Sequence, residues 1–311
     1  MCCPKISVVI PTHNRVEYIS ETLNCIINQT LKPYEIIVVD NGSSDNTEDV
    51  IKENFNEKVI YVKNNGSITP GAGRNYGLNI ATGDYIQFFD SDDVMTKNKF
   101  EVQAKILDKN PSIQGVYCPY VQAEDKNGQW IQHDCILQYE KTSLRFMPTK
   151  ILKGLFVPVW TFLFRTDFVR ECQKWPEDLF AYEDYYYLFS MFKNGLRPLH
   201  TNECCVFYRV HQNQITGSDF TDKKRDADKV VCLSRILNYY KLGVCEKNIA
   251  ETMKARVTGN FDEYSKFKFV IVNKLMRVEN KLNRIFTGTD WTIAHSPQPD
   301  PKIFQHYCSL L

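Results

Sequence analysis

The chain has 311 residues, of which 43% are hydrophobic and 24% charged, an ordinary globular composition with ample material for a buried core. Its 38 basic and 37 acidic residues leave a net charge of +1, which supplies no overall field to attract nucleic acid or repel an anionic surface, so any selectivity must be local. Eleven cysteines include the adjacent pairs Cys2-Cys3 and Cys204-Cys205 but no C-x-x-C spacing, which argues against a zinc site or redox dithiol and fits reduced thiols.

Ile6 to Ile10, Glu35 to Asp40, Val59 to Val62 and Tyr85 to Phe89 read as strands from their apolar, β-branched runs. Between the first two, Val16, Ile19, Leu23, Ile26 and Ile27 recur at helical spacing, and Asn46 to Phe55 and Arg74 to Ala81 read as further crossover helices. This β-α-β order predicts an α/β fold with a mostly parallel, Rossmann-like sheet flanked by helices. The unbroken run Ile36-Ile37-Val38-Val39 fits a strand covered on both faces. Ligands of such sheets bind beyond the carboxyl ends of the strands, which singles out Pro11 to Asn14, Asp40 to Asp45 and Asp90 to Asp93. Gln114 to Val210 loses the alternation and reads as a substrate-facing half. From Asp219 the pattern turns helical, with Val230, Leu233, Leu237 and Tyr240 on one face and Gly243 as a stop. The expected division is a main domain at 1–218, split near residue 115, and a helical C-terminal extension at 219–311.

Asp90, Asp92 and Asp93 place three carboxylates in four positions at a strand end, which is costly without a cation. Hard oxygen ligands of this kind suit Mg²⁺ or Mn²⁺ holding a phosphorylated substrate, while the plainer reading caps a helix starting near Thr96. Asp40 can accept hydrogen bonds from a nucleobase or ribose and Gly42 permits a tight turn, although Asn41-Gly42-Ser43-Ser44-Asp45 is also ordinary turn chemistry. Pro70 to Gly77 is glycine-rich without dinucleotide spacing; its Arg74, near a helix N-terminus, would face a phosphate or a carboxylate, or else be a solvated surface residue. Glu183-Asp184 precedes an aromatic helix from Tyr185 to Phe192, a setting in which a helix cap is the plainer reading and a general base the alternative. Trp160 and Tyr182 offer flat faces for stacking on a sugar ring, with core packing as the competing role. Phe267, Ile271, Leu275, Val278, Leu282 and Ile285 form a stripe flanked by lysines and arginines, which would lie on an anionic membrane surface or pack against its own domain or a dimer mate.

Ile10-Pro11-Thr12-x-Asn14, Val39-Asp40-Asn41-Gly42-Ser43-Ser44-Asp45, Gly71-x-x-Arg74-Asn75-x-Gly77 and Asp90-Ser91-Asp92-Asp93, in this order and spacing, resemble the family 2 glycosyltransferases of the GT-A fold. The resemblance is specific over residues 5 to 115 and thinner through 211. It implies that Pro11, Thr12, Asn14 and Asp40 line a nucleotide site with Gly42 at its turn, that Arg74 fixes the base-side pocket, that Asp90 meets ribose or metal, and that Asp92 ligates Mn²⁺ or Mg²⁺. It also implies that Arg209 approaches the diphosphate, that His211 touches the metal, and that Asp184, with Glu183 as the fallback, is the base. The region of Trp160 and Tyr182 becomes the acceptor side.

The expected protein is thus an inverting enzyme that moves a sugar from a nucleotide diphosphate donor, a UDP-sugar in the first place, to a hydroxyl of a saccharide or lipid-linked saccharide, in surface polysaccharide synthesis. A sugar nucleotidyltransferase would want glycines in the turn Pro11 to Arg15, which has none, and a non-catalytic sugar-nucleotide-binding protein is at odds with intact Asp90, Asp92 and Asp184. With Lys5 inside the first strand-like run and no basic, apolar and small-residue series, neither a signal peptide nor a membrane span is expected, and the protein is placed in the cytoplasm or on the inner face of the membrane.

Overall fold

The structure, a computed structural model, describes residues 4–126, 129–134, 137–138, 147–152, 157–211, 214, 222–258, 294–295 and 301–311. The first half alternates β1 (Ile6–Thr12), α1 (Ile19–Ile27), β2 (Glu35–Asp40), α2 (Thr47–Phe55), β3 (Ile60–Lys63), α3 (Pro70–Ile80) and β4 (Tyr85–Phe88). There follow β5 (Val94–Met95), α4 (Lys99–Lys109), β6 (Gly115–Tyr117), β7 (Tyr120–Lys126), β8 (Gln129–Asp134), β9 (Leu137–Gln138) and α5 (Met147–Leu152). The rest comprises β10 (Phe162–Arg165), α6 (Thr166–Glu171), α7 (Glu183–Lys193), β11 (Pro198–His200), β12 (Val206–Arg209), α8 (Asp222–Tyr239), α9 (Val244–Val257), β13 (Ala294–His295) and α10 (Pro301–Cys308).

Seven strands form the main sheet in the order β11-β6-β10-β4-β1-β2-β3. The pairs β4/β1, β1/β2, β2/β3 and β11/β6 are parallel, while β10 runs antiparallel to both β4 and β6. Every residue of β1 and β4 is buried, so these strands lie under helices on both faces, as their unbroken apolar runs require. A second sheet, β5-β12-β7-β8, stands against the end of the first. It brings Val206 and Phe207 beside Met95 and Val94, just past the acidic turn that follows β4.

The four expected strands and the three expected crossover helices are all present, with shifted ends. Helix α3 starts at Pro70 rather than Arg74, because Pro at a first helical position is compatible with the missing N–H. Its glycines serve packing. A Cβ on Gly77 would come within 2.2 Å of Val9 Cγ1, and one on Gly73 within 2.9 Å of Pro11 Cβ, so α3 lies closer to β1 than any side chain would permit. Beyond residue 218, Cys232, Leu233 and Ile236 of α8 join the same core as the main sheet. The stripe from Phe267 to Ile285 lies outside the described residues. No helix among the described residues is long and apolar enough to cross a membrane.

A lysine side chain is buried in this core. Lys99 is fully buried, and its Nζ donates to Gln103 Oε1 at 2.9 Å and to Gln87 Oε1. Burial depresses its pKa. Gln87 in turn donates to the carbonyl of Trp160 at 2.8 Å, which fixes the segment leading into β10.

The α3–β1 contact predicts that Gly77→Ala lowers stability. The gain in helix propensity, about 1 kcal/mol, is outweighed by an overpacking cost of about 1–3 kcal/mol. Urea unfolding measures the difference, and an unchanged or higher midpoint would show that the contact relaxes freely.

Candidate active site

The turns after β1, β2 and β4 open on one side of the sheet. Asn14 adopts a left-handed backbone (φ 52°), and its Oδ1 accepts hydrogen bonds from the N–H groups of Ser44 at 2.8 Å and Asp45 at 3.3 Å. The first turn is thereby laced to the second, whose Gly42 also has positive φ, 81°. Beyond them lies a cavity of about 1050 Å³, at the upper end of the range of roughly 300–1000 Å³ that holds a small ligand. Pro11, Thr12 and Asn14 line it from β1. Asp90 and Asp92 line it from β4, and Trp160, Tyr182, Glu183 and Asp184 from the second half of the chain. Thr12 Oγ1 is buried without a hydrogen-bond partner.

Arg74 organises one wall. The residue is 5% exposed, donating through Nη2 to Asp90 Oδ1 at 2.8 Å and through Nη1 to Glu183 Oε1 at 2.9 Å. Its guanidinium lies 4.5 Å over the Trp175 ring, which stacks on Tyr187 of α7 at 3.8 Å. Asn75, the next residue, fixes the same loop: its Nδ2 donates to Trp175 O at 2.9 Å and its Oδ1 accepts from Trp175 N–H at 2.9 Å. The Arg-Asn pair of α3 therefore holds the segment that leads into Glu183 and Asp184.

Asp92 belongs to a second cluster. Its Oδ2 accepts from Arg15 Nε at 3.0 Å and lies 3.1 Å from His211 Nε2. Arg209 supports this corner from behind, donating its backbone N–H to Asp93 Oδ1 at 2.9 Å, its Nε to the carbonyl of Asp92 at 2.9 Å, and its Nη2 to Glu21. Arg209 and His211 line a smaller cavity of about 380 Å³ instead of the large one. Asp40 and Gly42 also lie behind the large cavity's wall. Both oxygens of Asp40 are engaged, Oδ1 by Ser43 N–H at 2.7 Å and Oδ2 by the Tyr61 hydroxyl at 2.6 Å. Trp160 is 4% exposed and stacks on Tyr208 with ring centroids 5.6 Å apart.

The crowded carboxylates divide by environment. Burial pushes Asp90 up against the pull of Arg74, and pushes Asp93 well up with the help of Asp92 and Asp90. Asp93 points inward, with Oδ2 buried and unpartnered, and so fits a neutral acid. Asp92 is buried too, but the hydrogen bond from His211 and the charge of Arg15 outweigh that and hold it below the usual carboxylate range. Burial, then the charge of Glu183, push Asp184 up to about 7. Glu183 is itself raised by burial against Arg74. Among the described residues Asp184 is hydrogen-bonded only by the N–H of Tyr185, at 2.6 Å, and Tyr182 before the pair has a left-handed backbone, φ 63°.

As a metal site, Asp92 and His211 present a hard carboxylate oxygen and an imidazole nitrogen at one point, a donor set that fits Mn²⁺ or Mg²⁺. The described residues contain no group of three or more His, Cys, Asp or Glu side chains that would close a protein-only cage, so ligand oxygens and water would complete the coordination. Sequence reasoning missed Arg15, whose ion pair crosses 77 residues, and Asn75. It also missed Lys224, Arg225 and Lys229, which line the cavity from α8.

Similarity to known proteins follows this geometry. A family model for Glycosyl transferase family 2 matches residues 7–172. The Escherichia coli UDP-Glc:alpha-D-GlcNAc-diphosphoundecaprenol beta-1,3-glucosyltransferase WfgD is 26% identical over 256 residues, 77% of this chain and 93% of that protein. Among solved structures, S. aureus TarS 1-349 in complex with UDP-GlcNAc superposes with a TM-score of 0.61 at 21% identity, over 85% of this chain and 75% of that one. Mannosyltransferase PcManGT from Pyrobaculum calidifontis, in complex with GDP-Man and Mn²⁺, gives a TM-score of 0.58 at 16% identity, over 90% and 80% of the two chains. The chain spans less than a fifth of the length of the matched glycosyltransferases of Rickettsia conorii, Rickettsia felis and Rickettsia bellii. The fold is that of the GT-A glycosyltransferases.

Arg74→Met is predicted to leave Asp90 and Glu183 facing each other unneutralised, and to cost about 3 kcal/mol, the scale of losing one partner of a buried pair. The loss should be larger at pH 8 than at pH 5, where both carboxyls take up protons. Denaturant titrations at the two pH values test this, and equal midpoints for variant and parent at pH 8 would remove the bridging role.

Proposed function

The chain belongs to glycosyl transferase family 2, and on that premise we propose that it is an inverting, metal-dependent transferase that moves a sugar from a nucleotide diphosphate, a UDP-sugar first, to a saccharide hydroxyl. The observation that carries this reading is the meeting, in one cavity, of the Asp90-Ser91-Asp92 turn with Asp184, a carboxyl pushed up to about 7 and set apart from the guanidinium that grips its neighbour Glu183. UDP-linked donors are named for WfgD and for TarS, which supports that donor class here. The acceptor of WfgD is diphosphoundecaprenol-linked, which supports a lipid-linked saccharide acceptor, surface polysaccharide synthesis, and work at the inner face of a membrane.

Donor nucleotide would lie against Pro11, Thr12 and Asn14, where Thr12 Oγ1 awaits a partner. Asp40, behind that wall, would reach the base by releasing Tyr61. Asp92 and His211 would hold Mn²⁺ or Mg²⁺, which supplies charge neutralisation for the departing diphosphate. Arg74 keeps Asp90 and Glu183 in place, and Trp160 and Tyr182 border the acceptor. Asp184 takes the proton of the acceptor hydroxyl while that oxygen's lone pair forms a bond to the anomeric carbon. On the opposite face the bond to the diphosphate oxygen breaks, and its electron pair leaves with the nucleotide. One displacement inverts the anomeric centre. Asp184 fits the base better than Glu183, since the Glu183 carboxylate is taken up by Arg74 at 2.9 Å while Asp184 is left to the cavity, and a pKa near the working pH is what a base requires.

Asp184→Asn should lower kcat by about 10²- to 10⁴-fold while the thermal stabilisation given by UDP-sugar and Mn²⁺ survives. Normal turnover by that variant would remove the assignment. In the parent enzyme kcat/KM should climb as pH rises through about 7, the value to which Asp184 is pushed.

Linkage adds a readout independent of activity. A carboxyl raised in the folded state destabilises the fold increasingly as pH rises from its ordinary value of 3.8 through about 7. The melting temperature of Asp184→Asn should therefore exceed that of the parent at pH 8 and match it at pH 4. A variant no more stable than the parent at pH 8 would contradict the raised pKa.

A further inference from the structure

Resting on that transferase reading, we infer that Lys224, Arg225 and Lys229 of α8 form a subsite for a phosphate or diphosphate group carried by the acceptor. All three line the large cavity, and all three lie within the first eight residues of α8. Positive charge near a helix N-terminus opposes the macrodipole and gains nothing for the helix. The three cations and the helix dipole both favour an anion in that part of the cavity.

These cations face the catalytic loop and are held to it. Lys224 Nζ sits 3.8 Å over the ring of Phe180, and Lys229 Nζ 5.5 Å over that of Tyr182. Asp228, on the same face, accepts the N–H groups of Phe180 and Ala181, each at 3.0 Å, and Arg235 pairs with Asp178. The row is thus docked in register with residues 178–182, which lead directly into Glu183 and Asp184. Lys229 lies against Tyr182, whereas the cations in contact with Asp90 and Asp92 are Arg74, Arg15 and His211. Two cationic groups therefore serve two different walls. The Asp92 cluster fits the donor diphosphate, and the α8 row fits an anion that arrives beside the base, on the acceptor. Met253 of α9 and Phe180 extend apolar surface next to that row.

Titration calorimetry with farnesyl diphosphate as the probe, on protein saturated with UDP and Mn²⁺ so that the donor site is filled, tests the assignment. The parent should bind the probe, more weakly as salt is raised. The triple variant Lys224→Gln/Arg225→Gln/Lys229→Gln should bind at least tenfold more weakly, with its affinity for UDP unchanged. Inorganic pyrophosphate separates the sources. Equal affinity for it points to a free or polymer-borne phosphate, and tighter binding of farnesyl diphosphate to a lipid-linked one; either supports the subsite if the triple variant loses it. Retention of the parent's Kd by a triple variant that still binds UDP would overturn the inference and leave the donor reading standing, as would failure of the parent to bind either probe. Failure of the parent to bind UDP would overturn the donor reading, and the inference with it.

Discussion

The site depends on one forked ion pair. A guanidinium is costly to bury, and Arg74 is buried because each of its two arms meets a carboxylate and its face meets an indole. The two carboxylates come from opposite halves of the chain, Asp90 from the end of β4 and Glu183 from the start of α7, so the fork is also a joint. Without it, nothing in the covalent chain would oblige the acidic turn after β4 and the Glu183-Asp184 pair to share a cavity. The glycines of α3 serve the same end, since only a helix pressed onto β1 can reach both acids.

Around this joint, five acidic residues in two short segments have their proton affinities pushed in different directions without any change of chemical type. Asp92, beside Arg15 and His211, stays ionised and can hold a cation. Asp93, one residue on and turned inward, is pushed well up by burial, and Asp184 is pushed up to about 7. Separating the pKa values of like groups through their surroundings is how one set of carboxylates takes on several roles. The sequence displays the carboxylates; only the folded environment distinguishes them.

Much of the first half was legible because its signals are local. Continuous apolar runs marked β1, β2, β3 and β4, helical spacing marked the crossovers, and the residues after each strand end pointed to one edge of the sheet, where Thr12, Asn14, Asp90 and Asp92 do line a common cavity. What was hidden depends on distance along the chain. Strand β10 inserts antiparallel between β4 and β6, a placement that four apolar residues cannot announce. Arg15 and Asp92 form an ion pair that no spacing rule connects, and α8, expected as part of a helical C-terminal extension, packs into the main core and lines the cavity with three cations. Asp40 and Arg209 carried the right chemistry, yet their polar groups are spent on Tyr61, Ser43, Glu21 and the acidic turn. Only a ladder of long-range hydrogen bonds reveals such commitments.

Tyr182 occupies a backbone geometry that costs a side chain with a Cβ on the order of 1 kcal/mol or more, and it does so immediately before the two acids. The bend sets the direction in which α7 departs and hence where Glu183 and Asp184 project. Substitution at this position meets opposed demands: glycine, asparagine or aspartate would keep the bend at lower strain but surrender the aromatic face, whereas another aromatic would keep the face and inherit the strain. A single position here carries two requirements that favour different members of the amino-acid repertoire, and the residue found is a compromise weighted toward the ring.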